Sequence, residues 1–597
     1  MRLKTLMQPL RDEPLPAWMI FPVIFAALYA SHLSLLRLPY YWDEAGYYIP
    51  AAWDFFRAGS LIPLTTPSNA HPPLPSIYLA LWWRLSGFLP EVTREAVVVS
   101  AAFGLTAVWR LAMRLVGVPS VAFWTVALTA LYPIWFAQST LAHADIFAAA
   151  CTLWGLVYIS PGALPAPSRD RVQELSRKPW AAAAWFAAAA LSKETAIAIP
   201  LTLAAVSLFE SFRASGMART RLWREAAWLT SCVLPLAAWY AFHYWKTGFL
   251  FGNPEFLRYN AEANLSVPRF LAALEHRVLH LTAHMNLFVP VGMAVAALLL
   301  EPRYDRGQGS RVRGQEAGNR EQGTGIGDQF SADRPGGDES EGERQVRPEI
   351  APAAIRRIFL LLAVNAVLFS VLGGALLTRY LLPMYPLVLL VAVTTFYRRV
   401  PYWHALAGFS AAAFVLAIFI NPSYGFAPED NLAYARVIRL HQAGIAQLER
   451  RCPGATVLTA WPVSDELTRP ELGYLERPYA VDLLPDFTAG SIARAAQEPE
   501  KYSAALVFST KEDSQSPFFT LGAKSRAADE RYFGLHRDLP PEEIARELHG
   551  DLVWKQQDQG QWIALIRFNR QFEARAEHGV TDDQSFADSY TMIREMR

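Results

Sequence analysis

Up to about residue 421 the chain alternates long apolar runs with short polar ones; beyond that it changes to short alternating segments. Apolar runs of about 17–22 residues, enough to cross a bilayer as a helix, lie near 17–37, 95–114, 118–136, 141–159, 179–193, 195–211, 226–246, 284–300, 353–376, 380–397 and 402–420. The pattern predicts a polytopic α-helical membrane protein with about eleven spans, of which 179–193 is short and rich in alanine. A twelfth run, 73–90, opens with HPPLP, counted from His71, and carries Trp82, Trp83 and Arg84. If it crossed, every later loop would change sides and most basic loops would fall on the wrong one. It is therefore expected to be a juxtamembrane or re-entrant helix, with prolines at its start and an aromatic and basic end at the interface.

In that topology the cytoplasmic segments are the N-terminus with Arg2, Lys4 and Arg11, the turn with Arg110 and Arg114, the basic loops 167–178 and 213–225, the loop 301–350, and 397–400. The N-terminal run has no small-residue cleavage site after it and reads as a retained anchor. The loop 301–350 is polar and Gly-rich and is expected to be disordered. The opposite, extracytoplasmic face then receives the first loop, 38–94, the segments 141–145, 192–194, 247–283 and 378–380, and the tail. The domains are thus 1–421 in the membrane and 422–597 outside it. In the tail, 455–461, 503–510 and 561–568 read as buried strands between helical stretches, which makes a soluble α/β domain.

Composition sharpens this picture. About half the residues are hydrophobic, with 19 Trp, 34 Phe and 23 Tyr. A net charge of +1 gives no global field for nucleic acid. Three cysteines, Cys151, Cys232 and Cys452, stand apart and indicate neither a disulfide framework nor a metal cluster.

Ionisable residues at membrane depth need a partner or a task. Asp43 and Glu44 open a stretch with Trp42, Ala45, Ile49, Ala52 and Phe56 at helical spacing. They either cap an amphipathic surface helix or offer a general base to a lumen. Asp145, beside His143, is either satisfied by a neighbouring helix or part of a site. Lys193 and Glu194 between two runs read as a local ion pair or as ligands, and Arg379 before Tyr380 either snorkels or binds an anion. His276, His280 and His284 share one helical face, with no acidic or cysteine ligand adjacent, and read as a polar stripe rather than a metal site. Asp465 and Glu466 read as caps of the helix that follows. Acids and cations gathered on one membrane face suit an anionic lipid-linked substrate: cations hold its phosphate while a carboxylate moves a proton.

Five segments, WDEAGYYIPAA, HPPLPSIYLALWWRLSG, TLAHADIF, LSKETAIAIPL and TRYLLPMYPLVLL, follow one another over about 400 residues. In this order they resemble the integral-membrane glycosyltransferases of the GT-C fold, in the group of protein mannosyltransferases and aminoarabinose transferases. The resemblance implies transfer of a sugar from a polyprenyl-phosphate donor to an acceptor hydroxyl of a lipid, glycan or protein at the outer side of the cell membrane, with inversion. It implies Asp43 as the base with Glu44 in support. His71, Lys193 and Arg379 are then candidates for the lipid phosphate, and Asp145 for sugar or acceptor, with His143, Glu194 and Tyr380 beside them. Aminoarabinose transferases have Lys before the proline pair; this chain has His71, a pH-dependent phosphate partner. No cofactor is implied. Membrane lipids are the other expected partners. The alternative, a transporter or flippase of lipid-linked sugars, calls for charges at mid-bilayer in several spans and a repeat of helices; the sequence carries neither.

Overall fold

A computed structural model describes residues 17–160, 178–254, 265–305, 345–372, 374–510, 531–533 and 538–568. The basic N-terminus, most of the loop 167–178 and of the loop 301–350, and the tail beyond 568 lie outside the described residues. The chain is mostly helical, with a small sheet near its C-terminus.

Each apolar run coincides with helix, and several of the helices open on proline: Pro90–Leu115, Pro119–Leu131, Pro179–Ser192 and Pro352–Val371. Proline is suited to the first turn because the amide it lacks has no partner there anyway. Among the described residues three helices, Pro90–Leu115, Glu194–Arg213 and Pro352–Val371, are long and apolar enough to cross a membrane. A pair bent by 98°, Val267–Asn286 with Phe288–Ala297, raises the number to four, and other apolar helices such as Ala144–Ile159 and Trp403–Phe419 are shorter. The eleven apolar runs thus correspond to helices of unequal length, and among the described residues three, or four with the bent pair, have the length and apolarity of a span.

Helix Pro90–Leu115 is the axis of the core. Ala17–His32, Pro119–Leu131 and Ala144–Ile159 pack around it, and its Ala96, Ala101, Ala102 and Ala112 are fully buried. Small side chains let helix axes approach closely. The run 73–90 forms Leu74–Ser86, 13 residues or about 20 Å, against a hydrocarbon core of about 30 Å. It packs on Ile49–Ala58 and on Pro90–Leu115, and Trp83 Nε1 donates to Thr93 Oγ1 at 2.9 Å.

The C-terminal sheet has five strands: β1 Thr456–Ala460, β2 Ala480–Leu484, β3 Ala504–Phe508, β4 Asp551–Asp558 and β5 Gln561–Arg567, in the order β2-β1-β3-β5-β4. β1 runs parallel to β2 and β3, while β5 is antiparallel to β3 and β4. The three strands expected from apolar runs are the central ones. β2 and β4 are edge strands: β4 (DLVWKQQD) is polar, while β2 (AVDLL) is only five residues long, is interrupted by Asp482 and is buried only at Leu484. Helix Ala433–Arg451 packs on β4 and β5.

This domain sits directly on the first loop. Tyr474 Oη donates to Tyr40 O at 3.0 Å, Tyr434 and Thr140 share a hydroxyl bond of 2.9 Å, and Arg469 Nη2 donates to Thr65 O at 3.0 Å. Those contacts bring the domain's Trp461 onto Trp42, ring edge to face, at 4.8 Å.

Candidate active site

The site is built first from the turn that ends at Asp43. Trp42 has φ 46°, a left-handed conformation that costs a non-glycine residue roughly 1 kcal/mol or more. The turn is held by Glu44, which is completely buried. Its Oε1 accepts from Arg94 Nη1 at 2.6 Å and from the Ala142 amide at 2.5 Å, and its Oε2 accepts from the Tyr41 amide at 2.9 Å. Arg94 also donates to Pro39 O and Thr140 O. Of the two adjacent acids, Glu44 thus pins the loop to the membrane helices, while Asp43 keeps a third of its side chain exposed.

Asp43 meets Arg379, whose Nη2 donates to Asp43 Oδ2. The same buried guanidinium donates through Nη1 to Glu429 Oε1, and its Nε lies 3.3 Å from Asp145 Oδ2. Lys193 Nζ donates to the other oxygen of Asp145 at 2.5 Å. Three carboxylates and two cations therefore share one buried cluster. Burial pushes the Glu429 carboxyl up to about 8; Arg379 opposes the shift, and the neighbouring Asp43, Asp430 and Asp145 add to it.

Tyr380 lies beside this cluster within reach of three cations. Lys193 Nζ is 4.0 Å from its ring centroid, Arg277 Cζ 5.6 Å and Arg379 Cζ 5.9 Å, all inside cation–π range. Arg277 is fully buried. Among the described residues it bonds to the carbonyls of Phe369, Leu377 and Ala375 and to His280, and no carboxylate lies within ion-pair distance. A buried cation without a counter-charge is costly, and an anion next to Tyr380 would offset it.

His71 and Glu194 pair with each other at 3.2 Å. Lys193 and Glu194, neighbours in sequence, thus serve different partners rather than one another. Tyr48 bridges the two groups: its ring centroid is 5.9 Å from His71 and 5.9 Å from His143. His143 is 4.0 Å from Glu429 Oε2 and bonds Gln138 through Nδ1. Asp43, Asp145, Lys193, Arg379, Tyr380 and His143 hence converge, His71 and Glu194 lie alongside, and Glu44 is separate. In the histidine stripe, His276 bonds Ala272 O, His280 meets Arg277, and His284 sits between Tyr424 and Asp430. Among the described residues no group of three or more His, Cys, Asp or Glu is arranged to hold a metal ion.

Sequence reasoning missed Glu429, Asp430, Arg277 and Tyr48. A signal existed for the first two: APED lies seven residues past the last apolar run, 402–420, an adjacent acid pair near a membrane edge like Asp43 and Glu44. Asp430 accepts from Thr378 and pairs with His284 at 3.0 Å, which ties the segment beside Arg379 to the start of the tail.

Asp43 also borders a cavity of about 310 Å³, lined among others by Tyr47, Thr66, Asn69, Asn253 and Trp461. The catalytic candidate thus stands between a cation-rich interior and an open, largely uncharged cleft.

No protein-family model matches the chain, and no curated protein matches it in sequence. Among solved structures the chain is similar to ArnT from Cupriavidus metallidurans, in the apo state and bound to undecaprenyl phosphate. Each is 15% identical with a TM-score of 0.47, over 92% of this chain and 98% of that one. It is also similar to the Archaeoglobus fulgidus oligosaccharyltransferase in complex with Zn and sulfate, 10% identical with a TM-score of 0.41, over 82% of this chain and 68% of that one.

Proposed function

We propose that this chain is an inverting membrane glycosyltransferase that moves a sugar from a polyprenyl-phosphate donor to an acceptor hydroxyl on the extracytoplasmic side of the cell membrane. The observation that carries the reading is the joining, through Arg379, of Asp43 at an open cleft to Asp145, Lys193 and the cations around Tyr380. The apolar helices, short ones included, form the membrane part, with the basic loops on the cytoplasmic face and the sheet domain over the site.

The donor is a phosphodiester carrying one negative charge. Its phosphate binds beside Tyr380, where Lys193, Arg277 and Arg379 gather and where Arg277 has charge to spare. His71 lies within ring contact of Tyr47 and Tyr48 and supports the sugar side. Arg379 occupies Asp43 Oδ2, and Oδ1 accepts the acceptor's proton. The acceptor oxygen attacks the anomeric carbon from the face opposite the phosphate. The bond from that carbon to the phosphate oxygen breaks, and its electron pair leaves with the polyprenyl phosphate, which becomes a dianion. The cations meet this extra charge as it develops. Glu44 acts on the reaction only by holding the loop that carries Asp43.

Binding of undecaprenyl phosphate, read as thermal stabilisation of the purified chain, tests the donor half. The wild type is expected to be stabilised and Arg277→Gln to lose most of that gain; equal stabilisation of both would remove the phosphate from the Tyr380 site.

A further inference from the structure

We infer that the cleft beside Asp43 is the acceptor subsite and takes a sugar ring, laid against Trp461 of the C-terminal domain. The inference rests on the glycosyltransferase reading above and names the acceptor class, a glycan or glycolipid hydroxyl.

Charge comes first. Asp43 is the one charged residue among the described residues that line the cleft. A phosphate head is drawn to the cations at Tyr380 and not to this cleft, so what enters here is not an anion. The volume of about 310 Å³ falls at the lower end of the range of roughly 300–1,000 Å³ of small-molecule sites.

The aromatic wall is fixed in advance. Trp461 leaves 37% of its surface exposed, much for an indole at a domain contact. Its Nε1 donates to Asp465 Oδ2 at 3.1 Å, and Trp42 holds its edge. Gly46 completes the grip: a Cβ there would stand 3.0 Å from Trp461 Cζ2 and would press the indole away by a few tenths of an ångström. An immobile indole open to solvent matches the apolar C–H face of a pyranose and loses little entropy on binding.

The polar wall is equally built. Asn253 Nδ2 donates to Asn69 Oδ1 at 3.1 Å, and the Asn253 amide donates to Ser68 O. Gly252 makes this possible, with φ 87° and a position where a Cβ would lie 2.8 Å from the Asn69 carbonyl carbon. The two carboxamides and the Thr66 hydroxyl, which donates to Gly46 O at 3.0 Å, make this wall one of amide and hydroxyl groups, the kind that hydrogen-bond sugar hydroxyls. Among the described residues the lining comes from helix, a bend, a turn and irregular segments, and none of it is a strand to which an extended peptide could pair.

Saturation-transfer NMR on the full chain in lipid nanodiscs tests this, with methyl β-glucopyranoside and methyl N-acetylglucosaminide as sugar probes and an acetylated Gly-Thr-Gly amide as the peptide probe. Transfer to the ring protons of a glycoside is expected, on the order of tenfold weaker for Trp461→Ala and restored in Trp461→Phe. If Trp461→Ala does not fold, Asn253→Ala is read in its place, with the same weakening expected. Glycoside signals untouched by these substitutions, no glycoside signal at all, or peptide saturation in place of glycoside would overturn the inference. Undecaprenyl phosphate is added to the same samples. Its failure to stabilise the wild type counts against the donor reading alone, because the glycoside signals judge the cleft independently.

Discussion

Arg379 donates a hydrogen bond to Asp43, a residue 336 positions earlier in the chain, and thereby ties the entrance of a late helix to the first loop. The same side chain holds Glu429 and faces Asp145, so one guanidinium organises three carboxylates from three distant segments. A planar fork with several donors can do this; an ammonium, a point charge on a flexible stem, cannot. Arg379→Lys is expected to fold with reduced stability and to lose most transfer. Arg379→Gln, which leaves buried carboxylates uncompensated, should cost about 3–5 kcal/mol. Thermal unfolding of the purified variants checks the order wild type, Lys, Gln.

Glu44 and Asp43 should separate cleanly. Glu44 is buried against Arg94, and Glu44→Gln leaves that guanidinium without its counter-charge, at a cost of about 3–5 kcal/mol. Its melting temperature should fall well below that of Asp43→Asn, because Asp43 is partly exposed. A lower melting temperature for Asp43→Asn than for Glu44→Gln would reverse the two roles.

Glu429 sets a pH dependence. Its folded-state value, about 8, lies above the ordinary glutamate value of 4.5. The folded state therefore holds this proton more tightly than the unfolded chain. The stability it contributes is fully present below about 4.5 and is lost as pH rises through about 8. Ionised, Glu429 also adds negative charge beside the donor site. Glu429→Gln, which mimics the protonated form, should flatten the fall in melting temperature over that window and keep donor binding above pH 8. A curve for Glu429→Gln parallel to the wild type would contradict this.

Much of this architecture is written in local pattern. Runs such as 95–114 and 402–420 reveal their helices because length and apolarity suffice, and β1, β3 and β5 reveal themselves because central strands are buried on both faces and rich in apolar and β-branched residues. The edge strands stay hidden for different reasons: β4 is polar along much of its length, and β2 is a five-residue stretch interrupted by Asp482. In the site, Asp43, Asp145, Lys193 and Arg379 stand out as charges beside apolar runs. Their partners do not, because pairing is a property of the fold. Lys193 looks like Glu194's partner and is instead Asp145's, while Glu44 looks like Asp43's twin and belongs to Arg94. Arg277 reads as one more basic residue in a helix until its burial and its shell of carbonyls are seen.

The most direct measurement is release of undecaprenyl phosphate from undecaprenyl-phosphate sugars by the purified chain in the presence of a glycan acceptor, with wild type and Asp43→Asn compared at matched folding. A base that takes the acceptor's proton contributes about 10²–10⁴ in rate, so the variant should lose transfer by that factor while still binding undecaprenyl phosphate. Transfer by Asp43→Asn at the wild-type rate would contradict the account.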